Sequence, residues 1–182
     1  MNNKLINIFN VISFYVVWWG CVIGVNLEHN YLGLLLTCLF VIFHLNIISN
    51  LNKEWKLLVA CFALGCIVES IHLHSGILIY KGYILNNEFF PPSWIICMWI
   101  GFGGTLNYSM GWMKSSWILQ FVMGAVFGPI SYVAGVKLGV ISFYYSFEIT
   151  IFVLGVIWGL SIPLMYFLND YFNKEEESLN GI

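Results

Sequence analysis

Three residues that can donate, accept or exchange protons lie where the sequence is otherwise apolar. Glu69 and His72 fall within the apolar stretch 57–79, and His44 falls within the stretch 31–49. At about 100° per residue, Glu69 and His72 share one helical face with several small residues. A carboxyl group and imidazoles at similar depth can exchange protons or hold a polar ligand. We predict that Glu69, His72 and His44 form a polar ligand-binding pocket.

Other roles stay open for this polar face. Glu69 can serve only to join helices, either as a neutral carboxyl donor or as a carboxylate paired with His44 or His72. An intramembrane enzyme could use Glu69 and His72 as acid and base, although no catalytic motif accompanies them. The Glu-x-x-His spacing is half of a di-iron bundle site whose second copy is absent, and the cysteines lack CxxC spacing. We expect no metal and no cofactor.

The composition places these polar residues in a membrane. Of the 182 residues, 60% are hydrophobic and 9% are charged, whereas soluble domains carry about 25% charged residues. A water-soluble fold cannot bury so much apolar surface. The net charge of −2 and the lack of a basic stripe exclude nucleic acid as a partner.

Apolar stretches predict the helices that position the polar face. A helix needs about 20 apolar residues to cross a bilayer, and six stretches come near this length: 5–25, 31–49, 57–79, 93–112, 117–136 and 149–168. We predict one integral membrane domain, an all-α bundle of six spans. The ten residues 138–147 are too short to span and either prolong the fifth helix or lie in the outer interface. Residues 169–182 are predicted to form a solvated, partly disordered cytoplasmic tail.

Lysines predict the orientation of the spans. Five lie on the side of the N-terminus and two on the other side, namely Lys4, Lys53, Lys56, Lys114 and Lys174 against Lys81 and Lys137. Cytoplasmic loops carry an excess of Lys and Arg. Both termini are therefore expected in the cytoplasm.

Glycines four residues apart predict where helices pack closely, because membrane helices associate through small residues. The glycines with this role are Gly20, Gly24, Gly124, Gly128, Gly135, Gly155 and Gly159. In the fifth span, Gln120 and Ser131 join three of them on one helical face. We expect this face to contact other helices along its length. A ligand groove floored by the glycines is the alternative.

The second half of the chain carries a recognisable pattern. The segments PPSWIICMWIGFGGTLNYSMGWM (91–113), GAVFGPISYVAGVKLG (124–139) and WGLSIPLM (158–165) resemble an uncharacterised bacterial inner-membrane family, domain of unknown function 2878. The residues that carry the resemblance are Pro92, Trp94, Trp99, Trp112, Gly128, Pro129, Tyr132, Gly135 and Pro163. Glu69 belongs to the pattern, whereas His72 and His74 depart from it.

The resemblance implies a multi-pass protein of the bacterial cytoplasmic membrane, without an assigned activity and linked to fatty-acid modification of membrane lipids. We expect an accessory protein that contacts membrane lipids, and we do not expect an enzyme. Other membrane proteins and a second copy of the chain stay open as partners. The architecture also resembles the substrate-binding component of energy-coupling-factor vitamin importers, which is the alternative function.

Overall fold

The computed structural model of the chain describes residues 3–48, 51–84 and 88–179. Within these residues the fold is a helical bundle, which confirms the predicted all-α class, with one pair of short strands added. The elements are α1 (Asn3–Asn26), α2 (Leu32–Phe43), α3 (Leu51–His74), β1 (Leu78–Tyr80), α4 (Ser93–Gly103), α5 (Trp117–Lys137), β2 (Ile141–Phe143) and α6 (Phe147–Leu179). A π-helical turn (His44–Ile48) follows α2, and a 3₁₀ turn (Gly111–Met113) precedes α5.

Four helices of the described chain are long and apolar enough to cross a membrane, over Lys4–Asn26, Glu54–His74, Trp117–Lys137 and Phe147–Glu175. Their outer faces expose large apolar side chains such as Ile12, Val126 and Phe152. Apolar surface of this extent is typical of contact with lipid. The chain is therefore a membrane protein. The helices α2 and α4 are apolar but shorter, so the count of six spans and the cytoplasmic termini stay predictions.

The predicted fourth span, 93–112, is not one continuous helix. The helix α4 has 11 residues, and residues 104–110 form turns. Irregular backbone at membrane depth requires partners from the protein itself. Asn10 of α1 supplies them: its amide donates to the Gly104 carbonyl at 2.8 Å, and its oxygen accepts from the Ser109 hydroxyl at 2.6 Å. The stretch carries no charged residue, and the lack of charge alone does not distinguish a helix from buried turns.

Residues 138–147 follow neither of the predicted alternatives in full. Gly139, with a φ of 76°, ends α5 because only glycine adopts this left-handed conformation freely. The strand β2 then pairs with β1 in antiparallel register, with Tyr80 opposite Ile141. This pairing brings Tyr80, which is buried, to the end of the bundle where α3 and α5 terminate.

Glycines form the contact between α5 and α6. A Cβ atom added to Gly124 would collide with the backbone of Trp158, and one added to Gly128 would collide with the Trp158 side chain. From the opposite helix, a Cβ on Gly155 would lie 3.2 Å from a backbone oxygen of α5, and one on Gly159 would lie 2.9 Å from the ring of Phe121. The backbones therefore approach so closely that side chains have no room.

The remaining predicted packing residues lie at two further contacts. Gly20 lies against Leu36 of α2, and Gly24 lies at the turn that leads into α2. Gly135 contacts Ile141 of β2 instead of a helix, with 2.9 Å between its added Cβ and the Ile141 side chain. On the α5 face, Ser131 is exposed and Gln120 is buried, so the predicted stripe is only partly covered.

Within the predicted polar tail over 169–182, residues 169–179 are helical, because α6 continues to Leu179; a solvated, cytoplasmic position of the tail stays a prediction. Asp170 lies 2.9 Å from Lys114, and Glu175 lies 2.9 Å from Lys56. These ion pairs are partly exposed and each contributes at most about 1 kcal/mol. They bring the polar end of α6 to the starts of α3 and α5. Residues 180–182 lie outside the described chain.

Candidate functional site

The Glu69 carboxylate is the centre of a buried polar cluster. It lies on α3 and has no exposed surface. Its Oε1 atom accepts hydrogen bonds from Trp99 Nε1 at 2.7 Å and from the Tyr132 hydroxyl. Its Oε2 atom accepts a hydrogen bond from the Tyr80 hydroxyl. These donors provide the compensation that a carboxylate needs when it leaves water.

His72 completes the cluster from the same helix. Its Nδ1 atom lies 3.4 Å from Glu69 Oε2, across one helical turn. Its ring packs edge-on against Tyr132, with 5.8 Å between the centroids. His72 is fully buried, and its Nε2 atom has no hydrogen-bond partner among the described residues. The i, i+3 spacing that marked this pair in the sequence thus places the two side chains together.

The donors arrive on three different elements. Tyr80 comes from β1, Trp99 from α4 and Tyr132 from α5. Gly65 makes room for this convergence one helical turn before Glu69, because a Cβ atom there would lie 2.6 Å from Trp99. A small residue on α3 therefore lets the indole of α4 approach the carboxylate.

A cavity of about 430 Å³ lies beside this cluster. The helix α4 packs against α1, α2 and α3, while α5 packs against α6. Residues of α1, α4 and α5 line the cavity together with Trp158 of α6, and Val140 and Ile141 line it at the strand end. Its volume falls within the range of small-molecule pockets, about 300–1,000 Å³.

The cavity has a buried floor and an exposed mouth. Trp94, Trp99 and Tyr132 are almost fully buried. Tyr15 and Phe127, which also line the cavity, are each 56% exposed on the outer faces of α1 and α5. Because those faces belong to helices apolar enough to lie in a bilayer, the cavity is open on the lipid side of the bundle.

Two rings belong to both the polar cluster and the cavity. Trp99 and Tyr132 line the cavity and donate hydrogen bonds to Glu69. Glu69 and His72 themselves are not lining residues. The carboxylate therefore lies behind the cavity wall and fixes the orientation of two of its rings.

His44 lies in a second cluster, apart from Glu69. Its Nε2 atom lies 3.4 Å from the Glu54 carboxylate, which also accepts from the Asn107 amide at 3.0 Å. Asn107 in turn exchanges hydrogen bonds with Asn169 of α6. The sequence offered His44 as a partner of Glu69, and the structure pairs it with Glu54 instead. His44 and Glu54 each lie five residues from position 49 in the sequence, so they lie at the same level when the helices that carry them are antiparallel neighbours.

The structure brings Glu69 and His72 together and places His44 in a different cluster. The ligand-binding role of these three residues stays a prediction. His74 lies apart from them, with its ring 5.2 Å from that of Phe89. Among the residues that the structure describes, no group of three or more His, Cys, Asp or Glu side chains could hold a metal ion.

Sequence reasoning missed the donors that surround Glu69 and the partners of His44. Tyr80 lies beyond the apolar stretch of α3, and no local pattern indicates that a strand returns it to the bundle. Trp99 and Tyr132 were marked only by the family pattern. Several residues of that pattern lie close together in the fold, because the following all line the cavity: Trp94, Trp99, Gly128, Tyr132 and Gly135.

The fold and the buried cluster define a helical membrane protein with an aromatic cavity among its helices. Residues 7–164 match the family described as protein of unknown function (DUF2878). The chain belongs to this family. No curated protein and no solved structure matches it.

Proposed function

We propose that this protein is a multi-pass protein of the bacterial inner membrane that binds the uncharged part of an amphiphile in the cavity. Its role would be accessory to the modification of membrane lipids or fatty acids. One observation carries the proposal: the cavity opens toward lipid, and the rings of its floor are hydrogen-bonded to a buried carboxylate. Rings held in place before binding lower the entropic cost of ordering the site.

The lining supports a neutral and largely apolar ligand. None of the described residues that line the cavity is charged. A charged group placed there would lose its hydration without a partner. A charged head group would therefore remain at the mouth or outside it, while an uncharged part of the amphiphile fills the cavity.

The importer subunit is a second candidate, favoured by the interrupted segment after α4. Transporters often bind substrates where a membrane helix is broken, and the turns 104–110 contribute Asn107 to the His44–Glu54 cluster. This alternative places a polar substrate at that cluster. Recovery of a polar small molecule with the purified protein, lost on Asn107→Leu substitution, would favour it over the lipid-linked role.

An enzyme that uses Glu69 and His72 as acid and base is the weakest candidate. Each carboxylate oxygen of Glu69 already has two partners among Trp99, Tyr132, Tyr80 and His72. Neither Glu69 nor His72 lines the cavity. A substrate would have to displace these donors before it could meet the carboxylate.

Native mass spectrometry of the protein released from lipid nanodiscs tests the proposed function. We expect an amphiphile to remain bound to the wild-type protein. Ala134→Phe places a ring among the lining residues and should remove the bound mass. Val126→Phe makes the same change on the same helix, at an exposed position outside the lining, and should retain it. Equal retention by both variants, or a wild-type protein without a bound amphiphile, contradicts the proposal.

A further inference from the structure

We propose that the ligand of this cavity is a neutral molecule with a flat conjugated ring that carries acceptor oxygens, which is the chemistry of a quinone head group. This inference rests on the proposed function and names its ligand class. Three features of the cavity support it: its rings, its unpaired donor and its lack of charge.

Aromatic side chains dominate the cavity wall. Ten of its twenty lining residues are Phe, Tyr or Trp. Trp99 and Trp158 stack on one another, with 4.4 Å between centroids and an angle of 25° between the rings. A flat ring can continue such a stack or pack edge-on against it, whereas a saturated chain gains only nonspecific contact. The wall therefore favours a ring over an acyl chain.

Trp158 also provides a hydrogen-bond donor. Its ring lines the cavity, and its buried Nε1 atom lies near the Tyr132 hydroxyl without making a hydrogen bond of ordinary geometry to any described residue. Buried donors in proteins are almost always paired, so an acceptor is expected from a bound molecule. A carbonyl oxygen on a flat ring provides such an acceptor without introducing charge.

The position of the cavity suits a ligand that is dissolved in the membrane. Its mouth lies between the exposed faces of α1 and α5, where Trp19 and Ile130 also reach the surface. A neutral ring with an apolar tail partitions into the bilayer and can enter the cavity from the side. The tail then remains in contact with lipid while the ring fills the floor.

Tryptophan fluorescence provides a direct test, because five of the eight tryptophans line the cavity. The protein in phosphatidylcholine nanodiscs is titrated with a decyl-substituted dimethoxy-methyl-benzoquinone. A second titration uses methyl dibromostearate, a quencher of similar size with a chain in place of the ring. We expect saturable quenching by the quinone, with an apparent dissociation constant at least about tenfold below that of the ester. Ala134→Phe should abolish the saturable component, and Val126→Phe should preserve it.

The outcomes separate the ligand class from the binding function. Equal saturable quenching by both probes, lost in Ala134→Phe, overturns the inference of a ring and leaves the proposed function intact. If neither probe gives saturable quenching, both the inference of a ring and the proposed function are overturned. Trp158→Phe keeps a ring and removes the donor, so it should weaken quinone binding about tenfold while circular dichroism stays unchanged. Unchanged quinone affinity in this variant overturns the assignment of the acceptor oxygen.

Discussion

Glu69 accepts hydrogen bonds from side chains of β1, α4 and α5 and lies beside His72 of its own helix. A carboxylate that is removed from water needs several donors, and hydrogen bonds to a charged group contribute about 1.5–3 kcal/mol each. The same bonds hold the rings of Trp99 and Tyr132, which line the cavity. One residue thereby joins the stability of the bundle to the shape of the cavity.

Substitution of Glu69 separates these two contributions. Glu69→Gln keeps the shape and one acceptor oxygen, so we expect the protein to fold and insert. The charge that orders the surrounding donors is lost, so the variant should fail to restore whatever phenotype deletion of the gene causes. Glu69→Leu leaves the donors unpaired and should lower the free energy of unfolding by about 1–3 kcal/mol for each of them.

Thermal unfolding in detergent and complementation of the deletion strain measure the two effects. Glu148→Gln and Glu148→Leu are the matched controls, because Glu148 lies exposed in the first turn of α6. They should behave as the wild-type protein. Full complementation by Glu69→Gln would show that the charge is dispensable and that Glu69 only joins helices.

The pairing of Glu69 with His72 was predictable, because residues three apart on one helix are neighbours whatever surrounds them. The pairing of His44 required the relative level of two helices. Counting from position 31 placed His44 near the depth of Glu69, whereas counting five residues to either side of position 49 pairs it with Glu54, as observed. Tyr80 could not be predicted at all, since its position depends on a strand pair between distant segments.

Helices of the bundle pack closely where one of them has a glycine at the contact. The α5–α6 contact is the closest case, with Gly124 and Gly128 of α5 facing Trp158 of α6. Trp158 then stacks on Trp99 and lines the cavity. Close packing of α5 and α6 is thus a condition for the shape of the cavity wall.

Enlarging Gly128 should disrupt this contact. In Gly128→Leu the new side chain meets the inner atoms of the Trp158 side chain, which cannot move without a shift of α6. Overpacking of this kind costs about 1–3 kcal/mol. Val122→Leu lies on the exposed face of α5 and should be tolerated. Accumulation in the membrane and the unfolding temperature in detergent are the measurements, and equal tolerance of both variants would show that Gly128 faces open space.

At the scale of elements, composition predicted the long helices α1, α3, α5 and α6, because a bilayer requires long apolar segments. It did not predict the end of α4 or the strands, since these depend on partners elsewhere in the fold. The carbonyl of Gly104 is paired with Asn10, which is 94 residues away in the chain. No local sequence pattern reports such a partner.

At the scale of the whole molecule, the two buried Glu–His pairs among the described residues lie far apart. Glu54 and Glu69 lie on the same helix, and the 15 residues between them (69 minus 54) correspond to about 22 Å. A buried apolar cluster that includes Leu57, Cys61 and Met165 fills the level between the pairs. The cavity adjoins only the Glu69 pair. The bundle therefore has one end with a largely apolar cavity and another end where hydrogen bonds stabilise an interrupted helix.

The orientation of this bundle in the membrane is testable with reporter fusions. Lys56 and Lys114 pair with the last turns of α6, whereas Lys81 and Lys137 lie at the end with the strands. With the lysine-rich end in the cytoplasm, alkaline phosphatase fused after residue 182 should be inactive, because the enzyme folds only after export. The same enzyme fused after residue 84 should be active. Green fluorescent protein should give the reverse result at both sites, which controls for expression. An active phosphatase at the C-terminus would contradict the orientation, and the cavity would then face the opposite leaflet.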